Sequence, residues 1–544
     1  MATQKDKLIG ELTRSGLIIS PTKYANIYSS RELKDITRKF RIHTTDFNGN
    51  IIYHTTYISV PKHDKIIFAR MKGLNIFGSK LTVKNHISAG IKLPDNIWQF
   101  TAKLFSNQKI VLAHLLRNIY TSDNFKTGKS SCILNMKAGH GKTYLSMALI
   151  AQLKQKTLII VPTSILLAQW TTDIHSNMPD ITIGSYYTKK KRDGDVIIMI
   201  CNSALLNEFT FLPKTGKGKT TMDSISYFKQ FGLVIFDEVH KYCSPKLRKI
   251  FAKAQAKHVL GISATTNNRL DKLDIISQHY LGNVVHADTI KKYDSGNVEF
   301  KVNVTTIKYK GPEEYTRALC SPSTGFMSHP LMVNQICTDP YRKILLCNEL
   351  EKIYHNKANA FVFADRRAYL EELAHMLRDR VQCQSLDEIS QSLRYIIPPT
   401  RSVSKIIKNI IEFIDPGCNI TIFPDLKDPL IPELSVLLGG AGIFDIENAK
   451  NRGQIIFSTY SFLDTGVSIE RMTHLIVATP RRHGWGQIIG RITRITGDIS
   501  ITRQIILISD SKTALSKQMT FAKNKIKKIF NATSAEKTVD FSEL

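Results

Sequence analysis

Along the middle of the chain, short apolar runs recur between stretches of mixed polarity. From about residue 96 to 290 they read SSCILNM, KTLIIV, DVIIMIC, FGLVIFD and HVLGIS, separated by segments with helical spacing. Such nearly continuous runs have no polar face, so each strand must be covered on both sides, as in a parallel sheet flanked by helices. A second series, beginning near 296, contains NAFVFAD, GQIIFST, HLIVATP and RQIILISD. Two successive doubly wound α/β sheets are therefore predicted. Ahead of them, residues 1–95 carry short alternating runs such as GNIIYHTTYISV, with Gly and Pro punctuation, which predicts a small β-containing accessory domain. The predicted divisions are 1–95, 96–292, 293–515 and a basic, helical tail at 516–544. Between NAFVFAD and GQIIFST lie about 85 residues, so an insertion is predicted at about 380–435, holding the loop IIPPTRSVSK.

Composition changes this picture little. Hydrophobic residues make up 42% of the 544 and charged residues 22%, the balance of an ordinary globular chain. No apolar run approaches the roughly 20 residues of a membrane span, so no membrane role is expected. The N-terminus, MATQKDKLIGELTRSG, lacks a charged-then-apolar signal layout, and an intracellular protein is expected. None of the eight cysteines forms a C-x-x-C pair, which points to free thiols in a reducing compartment. Charge says more. Lys and Arg total 75 against 46 Asp and Glu, a net of +29, which suits a polyanionic partner such as nucleic acid. Coding bias toward lysine is the bland alternative. The basic stretches at 189–192 and 523–528 are candidate contacts, with a solvated face the equal alternative for each.

The stretch NMKAGHGKTYLSMALI, 135–150, has the layout of a phosphate grip. A strand at 131–137 leads into a glycine turn at Gly139, His140 and Gly141, then Lys142, Thr143 and a helix. Backbone N–H groups of such a turn face phosphates, the Lys adds a cation, and the Thr hydroxyl holds magnesium. Met136 stands where a small residue is usual. A second match, KTGKGKTTMD at 214–223, has no strand before it and reads as a flexible basic loop. The run FGLVIFDEVH ends in Asp237 and Glu238. Beside a phosphate grip, such a strand supplies an Asp for magnesium and a Glu to position or deprotonate the attacking water; it is expected to lie next to the first strand.

Asp237-Glu238-Val239-His240 resembles the D-E-x-H box of superfamily 2 helicases. GISATTNNRLDK resembles their third motif, which implies that Ser263, Ala264 and Thr265 couple hydrolysis to domain movement. LIIVPTSILLAQW is similar to the strand and loop that meet a nucleic-acid backbone, with Thr163, Gln169 and Trp170 as the implied contacts. Gln108 stands where the family has an adenine-side Gln. The run from 453 to 482 resembles motif V and contains Gly466, but Thr465-Gly466-Val467-Ser468-Ile469 replaces the common E-G-L-D-I, which leaves the ribose and coupling contacts in doubt. GWGQIIGRITR matches Q-x-x-G-R-x-x-R, motif VI, giving Gln487, Gly490, Arg491 and Arg494. The resemblance implies an arginine finger at Arg494 and a γ-phosphate contact at Arg491.

The motifs span roughly 100–510. The fold implied is two tandem RecA-like domains with ATP and Mg2+ between them, working as a nucleic-acid-stimulated ATPase. VPTSILLAQW and FVFADRRAYLEEL are similar to the XPB-type group, and within it to poxvirus and asfarvirus helicases. In poxviruses that helicase is linked to transcript release and DNA-dependent ATPase activity. This implies DNA as the partner, a connection to transcription machinery, and a place in infected-cell cytoplasm or the virus particle. An RNA helicase is the alternative, and a non-catalytic nucleic-acid-binding subunit with a helicase fold is the second.

Overall fold

The computed structural model describes residues 8–23, 27–45, 50–137, 139–187, 190–214, 218–264, 271–294, 300–322, 325–382, 394–397, 419–422, 430–439, 441–463, 469–481, 484–493 and 498–544. It divides into two compact units, Met1–Ser295 and Gly296–Leu544.

The first unit begins with a five-stranded sheet, ordered Tyr57–Val60, Lys65–Phe68, Gly16–Ile19, Leu8–Thr13 and Leu81–Asn85. Alternate residues of Leu8–Thr13 are buried, so one face packs on a core of Leu8, Leu12, Leu17, Phe40 and Phe68. Polar bonds fasten this sheet and its helices to the larger layer of the same unit. Arg70, fully buried, donates from Nε to the Gly128 carbonyl (2.9 Å) and from Nη1 to Gln255 Oε1 (2.9 Å) and the Ala256 carbonyl (3.2 Å). Thr56 Oγ1 meets His279 Nδ1 at 2.7 Å, and Lys72 Nζ donates to His279 Nε2 at 2.9 Å.

That larger layer is an eight-stranded sheet. Its order is Lys190–Arg192, Ile183–Tyr187, Val196–Ile200, Thr157–Val161, Leu233–Asp237, His258–Ser263, Ser131–Asn135 and Val284–His286. All neighbours are parallel except the edge pair Ile183–Tyr187 and Lys190–Arg192. Alternate residues serve two different cores. Ile159, Ile198, Ile235, Leu260 and Leu134 pack on one face, and Leu158, Ile197, Val234, Val259 and Ile133 on the other. That two-sided burial is why the runs are continuously apolar.

Two expectations for this unit are corrected. The strand ending at Asp237 does not adjoin Ser131–Asn135; His258–Ser263 lies between them. The crossover through the helix Lys142–Leu153 carries the chain three places along the sheet to Thr157–Val161, and the later strands fill the gap. In the stretch read as a loop at 214–223, Thr220–Asp223 is a strand paired with Glu208–Phe211, so a strand does precede the Gly-Lys-Thr match. That match leads back into a hairpin and not into a helix N-terminus, so it makes no phosphate cradle.

In the second unit a seven-stranded, all-parallel sheet is ordered Leu434–Leu437, Ile455–Thr459, Ala360–Ala364, His474–Val477, Arg503–Asp510, Val302–Lys310 and Thr533–Asp540. Residues 516–544, read as a tail, are part of this layer. Met519, Ala522 and Ile526 of the helix Ser516–Phe530 are fully buried, and Thr533–Asp540 closes one edge of the sheet. The insertion expected at 380–435 lies mostly outside the described residues. Within it Arg394–Ile397 and Asn419–Ile422 pair as parallel strands, and its last residues already belong to the edge strand Leu434–Leu437. Both units are thus doubly wound α/β layers, the RecA-like arrangement.

Candidate active site at the glycine turn

The strand Ser131–Asn135 runs through buried Met136 into the turn, and the helix starts at Lys142. Gly139 and Gly141 have φ of +81° and +75°, a left-handed region that a Cβ would strain. A Cβ on Gly141 would also strike Gln108 Nε2. Lys142 Nζ donates to the carbonyls of Met136 (3.2 Å) and Lys137 (3.4 Å), so the ammonium is folded back over the turn. Thr143 is half-buried on the first turn of the helix, where the macrodipole and free N–H groups favour an anion. Burial, reinforced by Lys137 and Lys142, brings His140 down to about 4, so its imidazole is neutral near pH 7.

Gln108 lies against this turn. Its Oε1 accepts from the Phe105 N–H (2.8 Å) and its Nε2 donates to the carbonyls of His140 (3.3 Å) and Gly141 (3.2 Å). The residue expected on the adenine side is therefore occupied in bracing the glycine turn, because the missing Cβ of Gly141 lets its amide approach.

Asp237 ends its strand almost fully buried. Oδ1 accepts from the Glu238 N–H (2.9 Å) and Oδ2 from the Trp170 indole Nε1–H (2.8 Å). Desolvation first, and then the neighbouring Glu238, push the Asp237 carboxyl up to about 6. Glu238 follows in a left-handed conformation, φ +50° and ψ +51°, unusual for a residue with a side chain. Its Oε2 is buried and, among the described residues, has no hydrogen-bond partner. His240 Nδ1 lies 3.4 Å from that oxygen and 2.8 Å from Ser263 Oγ. Strain and an orphaned acceptor together mark a group held for something the protein does not itself supply.

Thr163 caps the helix Ser164–Asn177 by accepting from the Leu166 N–H, and Gln169 is half-buried on that helix. Trp170 does not reach the surface. It is 1% exposed, and its only polar atom is spent on Asp237, which corrects its assignment as a nucleic-acid contact. Ser263 joins the site through His240, and Ala264 follows it half-buried. Gln487 and Arg491 belong to the second unit, both half-buried, on and just after the short helix Trp485–Ile489. Thr265, Gly466 and Arg494 lie outside the described residues.

Two supports were missed in the sequence. Tyr242 donates its hydroxyl to the Asp237 carbonyl (2.7 Å) and the Ile160 carbonyl (2.9 Å), tying the end of one strand to its neighbour. Trp170 holds the carboxylate itself. Tyr242 was within reach of inspection, five positions after Asp237; Trp170 was not, being 67 positions away.

The donor set fits a nucleoside triphosphate with magnesium. One buried carboxylate and one hydroxyl suit a cation that keeps waters and takes phosphate oxygens. Asp237 and Thr143 would hold Mg2+, and the turn 139–143 would hold the phosphates.

The Type III restriction enzyme, res subunit family (ResIII) matches residues 101–268. The chain is 28% identical over 393 residues to "Putative ATP-dependent RNA helicase QP509L" of African swine fever virus (isolate Tick/Malawi/Lil 20-1/1983), covering 71% of this chain. The match spans 66% of that relative, just under two thirds of its length. It is 25% identical over 297 residues to "Putative helicase 161L" of Invertebrate iridescent virus 6, covering 52% of this chain and 62% of the relative. Over 162 residues it is 31% identical to "Putative DNA 3'-5' helicase Rad25" of Haloarcula marismortui, covering 29% and 24%.

Proposed function

We propose that the chain is a superfamily 2 helicase, a nucleic-acid-stimulated ATPase that translocates on DNA. The observation that carries this reading is Glu238, strained and with a buried oxygen left unbonded among the described residues, one residue beyond the carboxylate Asp237.

Magnesium, when bound, would neutralise phosphate charge and polarise the γ-phosphoryl group. Lys142 exchanges its two carbonyl partners for phosphate oxygens, and the N–H groups of the glycine turn donate to the same phosphates. Water enters beside Glu238, whose Oε2 accepts its proton as the oxygen attacks. His240, neighbour to both Glu238 and Ser263, carries the state of that carboxylate toward the strand end at Ser263. The resemblance to motif VI adds Arg491 and Arg494 as the expected source of positive charge for the transition state.

For the polymer, the net charge of +29 favours a phosphate backbone without choosing one. The D-E-V-H box and the VPTSILLAQW loop favour DNA, as does the name of the Rad25 relative. The name of the African swine fever virus relative supports RNA, the second reading. A role in viral transcription, with transcription machinery as partner, rests on the resemblance to the poxvirus group, as does a place in infected-cell cytoplasm or the particle. The test is ATPase rate with single-stranded DNA, duplex DNA or RNA at one fixed salt concentration. Stimulation chiefly by DNA is expected; equal or greater stimulation by RNA reverses the choice of polymer.

A further inference from the structure

Trp170 lies two turns into the helix that Thr163 caps, and it is among the largest fully buried side chains of the molecule. A buried indole ordinarily finds an acceptor for its N–H. Here that acceptor is Oδ2 of Asp237, at 2.8 Å. Burial alone does not force the pairing. Trp98 and Trp485 are 6% and 0% exposed, and among the described residues their indole N–H groups have no hydrogen-bond partner. This fold leaves two indoles unsatisfied and directs the third to the carboxylate at the site.

The bond acts with a second one. The Glu238 N–H holds Oδ1 at 2.9 Å, so both oxygens of Asp237 are gripped by donors from different parts of the chain. Rotation of the carboxylate is suppressed, and the remaining lone pairs keep a fixed direction. We propose that Trp170 is a positioning residue that orients Asp237 toward Mg2+ and ties that orientation to the helix Ser164–Asn177 capped by Thr163. The proposal rests on the ATPase reading above. Partners of this kind, one bond removed from a metal, typically govern metal affinity by about 10- to 100-fold.

Trp170→Phe keeps an aromatic ring in the core and removes the donor. The test titrates Mg2+ against binding of a fluorescent ATP analogue to the full chain, for wild type, Trp170→Phe, Asp237→Asn and the double variant. The expected result is that Trp170→Phe needs about tenfold more Mg2+ to reach half-maximal enhancement of nucleotide binding. Nucleotide affinity without Mg2+ should stay at the wild-type value, and this also reports that the variant is folded. In the Asp237→Asn background, Trp170→Phe should add nothing, because its partner charge is already gone. Wild-type Mg2+ dependence in Trp170→Phe overturns the proposal. So does an undiminished shift in the Asp237→Asn background, or a loss of Mg2+-free binding, since either makes Trp170 a packing residue. A wild-type protein that binds nucleotide without any response to Mg2+ refutes the ATPase reading instead.

Discussion

Replacing Asp237 by Asn should change how stability depends on pH, and the burial of that carboxylate sets the size of the change. In the unfolded chain an Asp loses its proton near the ordinary value of 3.8; in the folded chain Asp237 holds it to about 6. Across that interval the native state binds the extra proton, so stability falls as pH rises through it. A shift of about two units at about 1.36 kcal/mol each makes the ionised carboxylate cost roughly 3 kcal/mol above pH 6 and nothing below about pH 4. Asn does not titrate. It does place an amide N–H against one of the two donors that Asp237 accepts from, but that penalty is independent of pH. The unfolding free energy of wild type minus that of Asp237→Asn should therefore drop by about 3 kcal/mol from about pH 4 to about pH 7.5. Titrating groups away from Asp237, the buried His258 and His279 included, cancel in the difference. The assay is urea unfolding of both proteins without divalent cation across that range, taking the transition of the first unit. A difference that stays flat, or rises with pH, would refute the claim that the site is built around a carboxylate whose ionisation the fold resists.

Gly141→Ala should abolish nucleotide binding and lower the thermal midpoint, since φ of +75° costs about 1 kcal/mol with a Cβ and the new methyl meets Gln108; Gln108→Ala in the same chain should restore part of the stability. Arg342 is fully buried, with Nε 2.6 Å and Nη2 3.2 Å from the carboxylate of Asp510. Arg342→Ala strands that carboxylate and should cost the second unit about 3–5 kcal/mol in denaturant unfolding, whereas replacing both partners by apolar residues should cost much less. Burial and the nearby Lys72 bring His279 down to about 3, so it is neutral in the fold. Its contribution is present above about pH 6.5 and is lost as pH falls toward 3, because the unfolded chain takes up the proton first. His279→Gln should accordingly flatten the acid side of the first unit's stability profile.

What could be read from the chain was what lies contiguous in it. The glycine turn and the strand-end acids each carry strand, turn and chemistry within about ten residues, so Gly139, Gly141, Lys142, Asp237 and Glu238 stood out. The order of the strands did not, because placing His258–Ser263 between the two motif-bearing strands is a property of the crossovers. The strand Thr533–Asp540 was hidden by its composition: it lies at a sheet edge with its first four residues exposed, and its pairing with Val302–Lys310 supplies what hydrophobic pattern does not. Trp170 misled for a related reason. Beside a loop expected to meet a polymer, an aromatic looks like a stacking platform; only the folded helix reveals that it faces inward to Asp237.

The measurement that bears most directly on the account is steady-state ATP hydrolysis by the purified chain and its Lys142→Ala variant, with Mg2+, in the absence and presence of single-stranded DNA. The account predicts turnover by wild type that rises with DNA and disappears in Lys142→Ala. Hydrolysis that survives the loss of Lys142, or a wild-type chain that binds DNA and turns over no ATP, would contradict it.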